Sequence, residues 1–291
     1  MPASSRYAAL AGIGLMLLGV MMFSLNDAMG KWLVATYTVG QVVLIRSAAS
    51  LVMLTPLLMR EGLARVLRPE QPWLQAGRVA AATTEVGIFY WVLSYLPLAD
   101  TMTFLMASPI FVVVISAVVL RERVGPRRWL LVAIGFAGVV IALRPGAGSV
   151  SLPALGALVG ALMFALMNVA SRMLRGSSDV TLVFWQAAGA LLLGAALVPF
   201  GWVEPSARDF VLLALLGLVS SVAHMCVTRS LKLAPASLVA PYQYTFIAWA
   251  VLWGWLMFGE VPDVQTLIGA TVIVATGLVL LWSEARPGRR T

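Results

Sequence analysis

Ten apolar stretches account for nearly the whole chain, at about 8–29, 38–60, 73–95, 98–119, 126–144, 152–173, 180–200, 208–230, 235–257 and 263–283. Each is close to the ~20 residues that carry an α-helix across ~30 Å of hydrocarbon. Polar and helix-breaking residues punctuate the junctions: Arg68-Pro69-Glu70 with Pro72, Pro97, Gly125-Pro126, Pro145-Gly146, Gly176 to Asp179, Pro205, Pro235 and Pro262-Asp263. The connections are short, so consecutive helices are expected to run antiparallel as neighbours. None can hold a soluble domain. The pattern predicts an all-α integral membrane protein of ten transmembrane helices, here called spans 1 to 10. The polar tail 284–291 is expected to be disordered in the cytoplasm. The first stretch is too long for a signal h-region and lacks a clear small-residue cleavage site, so it reads as span 1.

Charge orients these spans. Fifteen of the 20 Lys and Arg residues lie in the tails or at every second junction, including Arg60, Arg65, Arg68, Arg121, Arg123, Arg127 and Arg128. The alternate junctions hold only Lys31, Arg144 and Arg208, while Arg46 and Arg78 fall inside spans. Positive charge stays in the cytoplasm during insertion. Both termini are therefore expected on the cytoplasmic side of the inner (plasma) membrane. The chain is 61% hydrophobic and 11% charged, against about a quarter charged for a soluble domain, so its solvent is lipid. The net charge of +8 is spread over loops, with no basic stretch interleaved with aromatics, and nucleic acid is not an expected partner. One Cys and one His exclude a disulfide framework and make a multi-ligand metal site implausible. No cofactor is expected.

The two halves echo each other. Residues 23–31 (FSLNDAMGK) align with 164–172 (FALMNVASR) at a constant offset, which matches Asp27 with Asn168 and Lys31 with Arg172. Arg46 falls near Gln186, and the run ending in Glu122 matches the run ending in Glu260. Five spans per copy is an odd number, so the second copy enters the membrane inverted. The expected domains are residues 1–146 and 147–283. Inverted repeats are common in secondary transporters, which bind solutes near the midplane between the halves.

The Asn26-Asp27-x-x-x-Lys31 ending of span 1, Arg46 early in span 2, Pro109 thirteen residues before Glu122, and the duplicated five-helix unit resemble the EamA-type branch of the drug/metabolite transporter superfamily. The resemblance covers residues 8–283. Within that superfamily the chain is most similar to bacterial amino-acid exporters, including those that release aromatic amino acids. The resemblance implies a basket of spans 1–4 and 6–9 around a central cavity, with spans 5 and 10 outside, and alternating access.

Ionisable groups at membrane depth are costly and mark function by default. Arg46 has two candidate partners, Asp27 and Asp100, and two candidate roles: a structural ion pair, or a gate or carboxylate-binding group. Glu85 lies deep in span 3, with Phe89 one turn on along the same face. It suits an α-amino group or a coupling proton, or it is a buried protonated side chain. Arg78 is expected to snorkel to the cytoplasmic surface. In the second half, Asn168, Trp185, Gln186 and His224 are uncharged or weakly basic candidates, with His224 favoured as a hydrogen-bonded helix contact. Tyr242, Gln243 and Tyr244 follow Pro241, which frees a backbone carbonyl. Ser108-Pro109 is a similar break in span 4. Asn26 completes the set. Trp32, Trp73, Trp129, Trp202 and Trp282 are expected at the interfaces.

The expectation is a secondary exporter of amino acids, aromatic ones among them, or similar small amphipathic metabolites. It has no phosphate-binding loop and so is not driven directly by ATP. Proton-coupled multidrug or lipid-linked metabolite efflux is the alternative. An intramembrane enzyme lacks a clustered nucleophile, base or metal set. The expected partners are a small-molecule substrate and the lipid bilayer. The sequence sets no oligomeric state, and a monomer is compatible.

Overall fold

Without water, every backbone N–H and C=O must be satisfied within the segment, and a helix does this by itself. The computed structural model describes residues 3–119, 125–143, 151–174, 176–233 and 240–285, and among these the secondary structure is all helical. The elements are α1 (Ala3–Val34), α2 (Val39–Glu61), α3 (Leu63–Leu67), α4 (Pro72–Leu93), α5 (Leu98–Leu105), α6 (Ser108–Val119), α7 (Pro126–Leu143), α8 (Leu152–Met173), α9 (Asp179–Leu197), α10 (Ala207–Leu233), α11 (Thr245–Phe258) and α12 (Val264–Ala285). A 3₁₀ turn, Val198–Phe200, follows α9 and another, Ala240–Tyr244, precedes α11. Residues Glu122, Arg144 and Arg175, and the tail from 286, lie outside the described residues; Glu284, assigned to the tail, is helical.

Among the described residues, six stretches are long and apolar enough to cross a membrane: Leu10–Val34, Val39–Glu61, Leu98–Val119, Leu152–Ser171, Val180–Phe200 and Ala207–Val227. Trp129–Ala142 and Val264–Val279 are shorter apolar helices. The helix α4 has similar length, but it carries Arg78, Thr83, Thr84 and Glu85. Val52, Met59, Val118, Leu152, Leu192 and Phe200 are more than two-thirds exposed. A water-soluble surface does not carry so much exposed apolar side chain; these faces belong against lipid.

Helices of the first half pack on helices of the second. α1 lies along α10, α4 along α8, α2 along α9, and α7 along α12. α2 also meets α10 and α4 meets α9, while α1 meets α11 and α8 meets α5 and α6. Small residues allow the closest crossings. A Cβ on Gly217 of α10 would collide with the Arg46 carbonyl of α2, and one on Gly19 of α1 with Val227 of α10.

Loops that the charge pattern puts on one side are tied to one another. Thr38 caps α2 and donates to Gly201 O at 3.0 Å, and Gln41 exchanges two hydrogen bonds with the Val203 backbone. Tyr37 donates to Asp209 at 2.7 Å. Lys31 donates to Leu96 O at 2.9 Å and forms an ion pair with Glu260, which accepts from Leu98 N at 3.0 Å. On the Arg-rich side, Ser178 donates to Glu61 at 2.6 Å and Trp185 to Val66 O at 2.9 Å.

Two spans are broken. Span 4 is α5 and α6 separated at Met106 and Ala107. Pro109 supplies no N–H to a helix running on from α5, and α6 starts afresh at Ser108. The described part of span 9 starts as the 3₁₀ turn containing Pro241. Gly259 ends α11 in the left-handed conformation (φ 66°), which glycine adopts without steric cost. That turn delivers Glu260 to Lys31.

Candidate functional site

A cavity of about 60 Å³ lies between the two halves, walled by α2, α4, α9 and α10. Its polar lining is Arg46, Ser47 and Ser50 from α2, Gln186 from α9, and Ser220, Ser221 and His224 from α10. Ala82, Val86, Val183, Ala187 and Ala190 complete the wall. This volume holds a few waters and is well below the ~300 Å³ of a small-molecule pocket. α7 and α12 take no part in it.

Arg46 is the hub on one wall. Its Nη1 donates to Tyr90 Oη at 2.6 Å, and its guanidinium lies 5.2 Å from the Tyr90 ring centroid. The carboxylates of Asp27 and Glu85 are both within electrostatic reach of that guanidinium and of each other. Asn26 donates to Asp27 at 3.3 Å. The Asn26 Oδ1 and Thr83 Oγ1 atoms are buried without a protein partner among the described residues. Tyr90 is fully buried, in edge contact with Phe89, and packs against Gly30, where a Cβ would strike its ring. Asn26, Asp27, Glu85 and Phe89 are thus grouped about Arg46 and Tyr90, and of this group Arg46 lines the cavity together with Gln186 and His224. Arg46 makes no ion pair within 4.0 Å among the described residues. The direct pairing expected with Asp27 or Asp100 is replaced by the Tyr90 hydrogen bond.

Arg78 does not snorkel. It is 4% exposed, and its Nε, Nη1 and Nη2 donate to Ser171 Oγ (2.7 Å), Leu182 O (3.0 Å) and Gln186 Oε1 (3.2 Å). Acceptors on α8 and α9 capture the guanidinium before it can reach the membrane surface. His224 Nδ1 lies 3.1 Å from Ser220 O one turn earlier, and its ring meets Phe23 edge-on at 4.7 Å.

The other candidates lie elsewhere. Asn168 is exposed on α8. Trp185 ties α9 to α3 through Val66. Ser108 is buried at the start of α6. Tyr242 packs on Met16 and Val20 of α1, Gln243 is exposed, and Tyr244 is seated against Gly277 of α12. Tyr90, Ser50, Ser220 and Ser221 are site groups that sequence reasoning missed. Ser50 and Ser221 bridge the halves: their hydroxyls are hydrogen-bonded at 2.7 Å, and both lie within hydrogen-bond distance of Gly217 O.

A family model described as "EamA-like transporter family" matches the chain twice, at residues 10–144 and 151–282. The chain belongs to the EamA-like transporter family. It is similar over 93% of its length to the pseudopaline exporter CntI of Pseudomonas aeruginosa, with 32% identity and 95% of that protein covered. It is 29% identical to a riboflavin transporter of Rhizobium johnstonii (97% of this chain, 94% of the relative). It is 25% identical to an S-adenosylmethionine uptake transporter of Rickettsia conorii (97% and 96%). A crystal structure of 18% identity superposes with a TM-score of 0.66 over 97% of this chain and 99% of that one, which establishes a shared fold. The protein is therefore a multi-pass membrane transporter of the EamA type. Its named relatives handle different small molecules, and their names include both export and uptake.

Proposed function

We propose that the protein exports amino acids, or similar small amphipathic metabolites, across the bacterial inner membrane by alternating access without direct use of ATP. Ten crossings form two inverted repeats, 1–146 and 147–283, with both termini in the cytoplasm. The observation that carries this reading is the polar cavity at the junction of the two halves. The exchange of partners supports the inversion: α1 on α10 mirrors α8 on α4, and α2 on α9 maps onto itself. The double match of one family model to the two halves supports the duplication.

The Lys31–Glu260 ion pair closes one mouth of the cavity by joining α1 to the loops before α5 and after α11. Asn26, Asp27, Arg46, Glu85, Phe89, Gln186 and His224 contact the solute or its hydration shell. The breaks at Ser108-Pro109 and Pro241 give spans 4 and 9 the freedom to bend.

The test is purified protein in liposomes loaded with single labelled amino acids and no nucleotide. Release faster than from empty liposomes, saturable and competed by unlabelled solute, is the expected outcome. Absence of flux for the whole amino-acid panel, with flux of another metabolite, would reject the substrate class.

A further inference from the structure

Two arginines flank the cavity, and they differ in how their charge is met. Arg46 has two acidic side chains, Asp27 and Glu85, within electrostatic reach. Arg78 is more deeply buried, and all three of its acceptors are neutral: a hydroxyl, a backbone carbonyl and an amide oxygen. No carboxylate lies within 4.0 Å of it among the described residues. A guanidinium has five N–H donors in a fixed fork that fits a carboxylate. Three are used, and two have no acceptor among the described residues. A buried cation without a counter-ion is unfavourable, and at membrane depth it marks an ion or substrate path.

The route from the cavity to Arg78 is short. Gln186 lines the cavity and at the same time accepts from Arg78 Nη2 at 3.2 Å. His224 of α10, which lines the same cavity, is within electrostatic reach of both Arg46 and Arg78. An anionic oxygen that displaces the Gln186 amide oxygen gains a charged donor in place of a neutral exchange, and it leaves Gln186 free to donate through its NH₂.

We propose that Arg78, with Gln186, forms an anion-binding pole beside the central cavity and holds the carboxylate of the transported solute. The acidic side chains of Asp27 and Glu85, grouped about Arg46, are the complementary pole for an ammonium group. A zwitterion spans the two. This inference rests on the transport reading above and assigns the carboxylate to Arg78 rather than to Arg46. Charge-assisted hydrogen bonds contribute about 1.5–3 kcal/mol, so loss of the guanidinium lowers carboxylate affinity about tenfold to a hundredfold.

The experiment reads binding separately from transport. In a Cys226→Ser background, Ser220→Cys places a thiol on the cavity wall, and its reaction with a small maleimide is followed with benzoate or benzamide present. Benzoate is expected to protect at concentrations about tenfold or more below benzamide. Arg78→Gln should abolish that difference, Arg78→Lys should retain part of it, and Ser171→Ala, which removes only a supporting acceptor, should leave it unchanged. Equal protection by the acid and the amide in the parent protein would overturn the proposal, whether or not Arg78→Gln folds. An unchanged preference in folded Arg78→Gln would overturn it too. The liposome panel is scored separately. Acid-selective protection with no amino-acid flux would reject the export reading and leave the anion pole standing. Flux without acid-selective protection would do the reverse.

Discussion

Breaking the Lys31–Glu260 latch should open the mouth it closes. Glu260→Gln removes the charge but keeps an oxygen to accept from Leu98 N–H, so it isolates the ion pair from the backbone tie. The side chains are 12% and 23% exposed. That places the pair between surface ion pairs, worth about 0–1 kcal/mol, and buried ones, where losing a partner costs about 3–5 kcal/mol. An intermediate figure of about 2–3 kcal/mol shifts the closed-to-open ratio by roughly 30- to 150-fold. Thr101, beneath the latch on α5, is 1% exposed, and its hydroxyl donates only to Pro97 O of its own helix. Thr101→Cys on a Cys226→Ser background is therefore a mild and buried reporter. Its labelling by a membrane-impermeant maleimide from the Lys31 side should accelerate by about 30-fold or more in Glu260→Gln. Lys31→Met should do the same. Exchange of the charges, Lys31→Glu with Glu260→Lys, should recover part of the protection. Unchanged labelling in both single variants, with folded protein confirmed, would show that the pair does not govern access.

Three further outcomes are expected. Glu85→Gln and Arg46→Ala should each lower flux per folded molecule about tenfold or more, since each loses a charged interaction at the cavity; flux equal to the parent would remove both from the site. Gly217→Val forces a side chain into the Arg46 carbonyl, and overpacking of this kind costs about 1–3 kcal/mol; its melting temperature should drop, whereas Gly14→Ala, where a Cβ meets no atom within 4 Å, should not destabilise. The hydrogen bond to Asp209 raises the Tyr37 phenol above its ordinary value of 10.0. A raised acid keeps its contribution below the unfolded value and loses it only as pH climbs through the folded one. The effect of Tyr37→Phe on stability should therefore be the same at pH 6 and pH 8, and a difference between them would contradict that reading.

The spans were legible because apolar runs of membrane length admit few other structures. Their ends moved where polar side chains found partners. α1 runs on to Val34, past Asp27 and Lys31, because both polar groups are accommodated inside the bundle. Nothing in the sequence signals α3, which Gly62 starts with a backbone at φ 86° and Trp185 fastens from α9. Arg46, Gln186 and His224 stood out as polar groups in apolar runs, and they line the cavity, whereas Glu85 is within electrostatic reach of Arg46 but is not among the lining residues. Tyr90 did not stand out, since an aromatic in such a run reads as packing, and the small serines of α2 and α10 read as surface filler. Arg78 was misplaced because distance along a span was taken for depth, whereas lateral acceptors on α8 and α9 hold it inside. Tyr242 and Tyr244 were assigned to the cavity because they follow Pro241, whose missing N–H frees a backbone carbonyl. The 3₁₀ turn advances each residue by about 120° rather than 100°, and it sends Tyr244 into the slot at Gly277 instead.

Solute passage between two halves that move against each other is tested most directly by locking them together. Ser50 on α2 and Ser221 on α10 touch across the cavity with their hydroxyls 2.7 Å apart, close enough for a Ser50→Cys and Ser221→Cys pair to form a disulfide on a Cys226→Ser background. Oxidation in liposomes should stop flux and reduction should restore it, with either single cysteine variant unaffected by the oxidant. A fully cross-linked protein that carries solute at the reduced rate would contradict alternating access through this cavity.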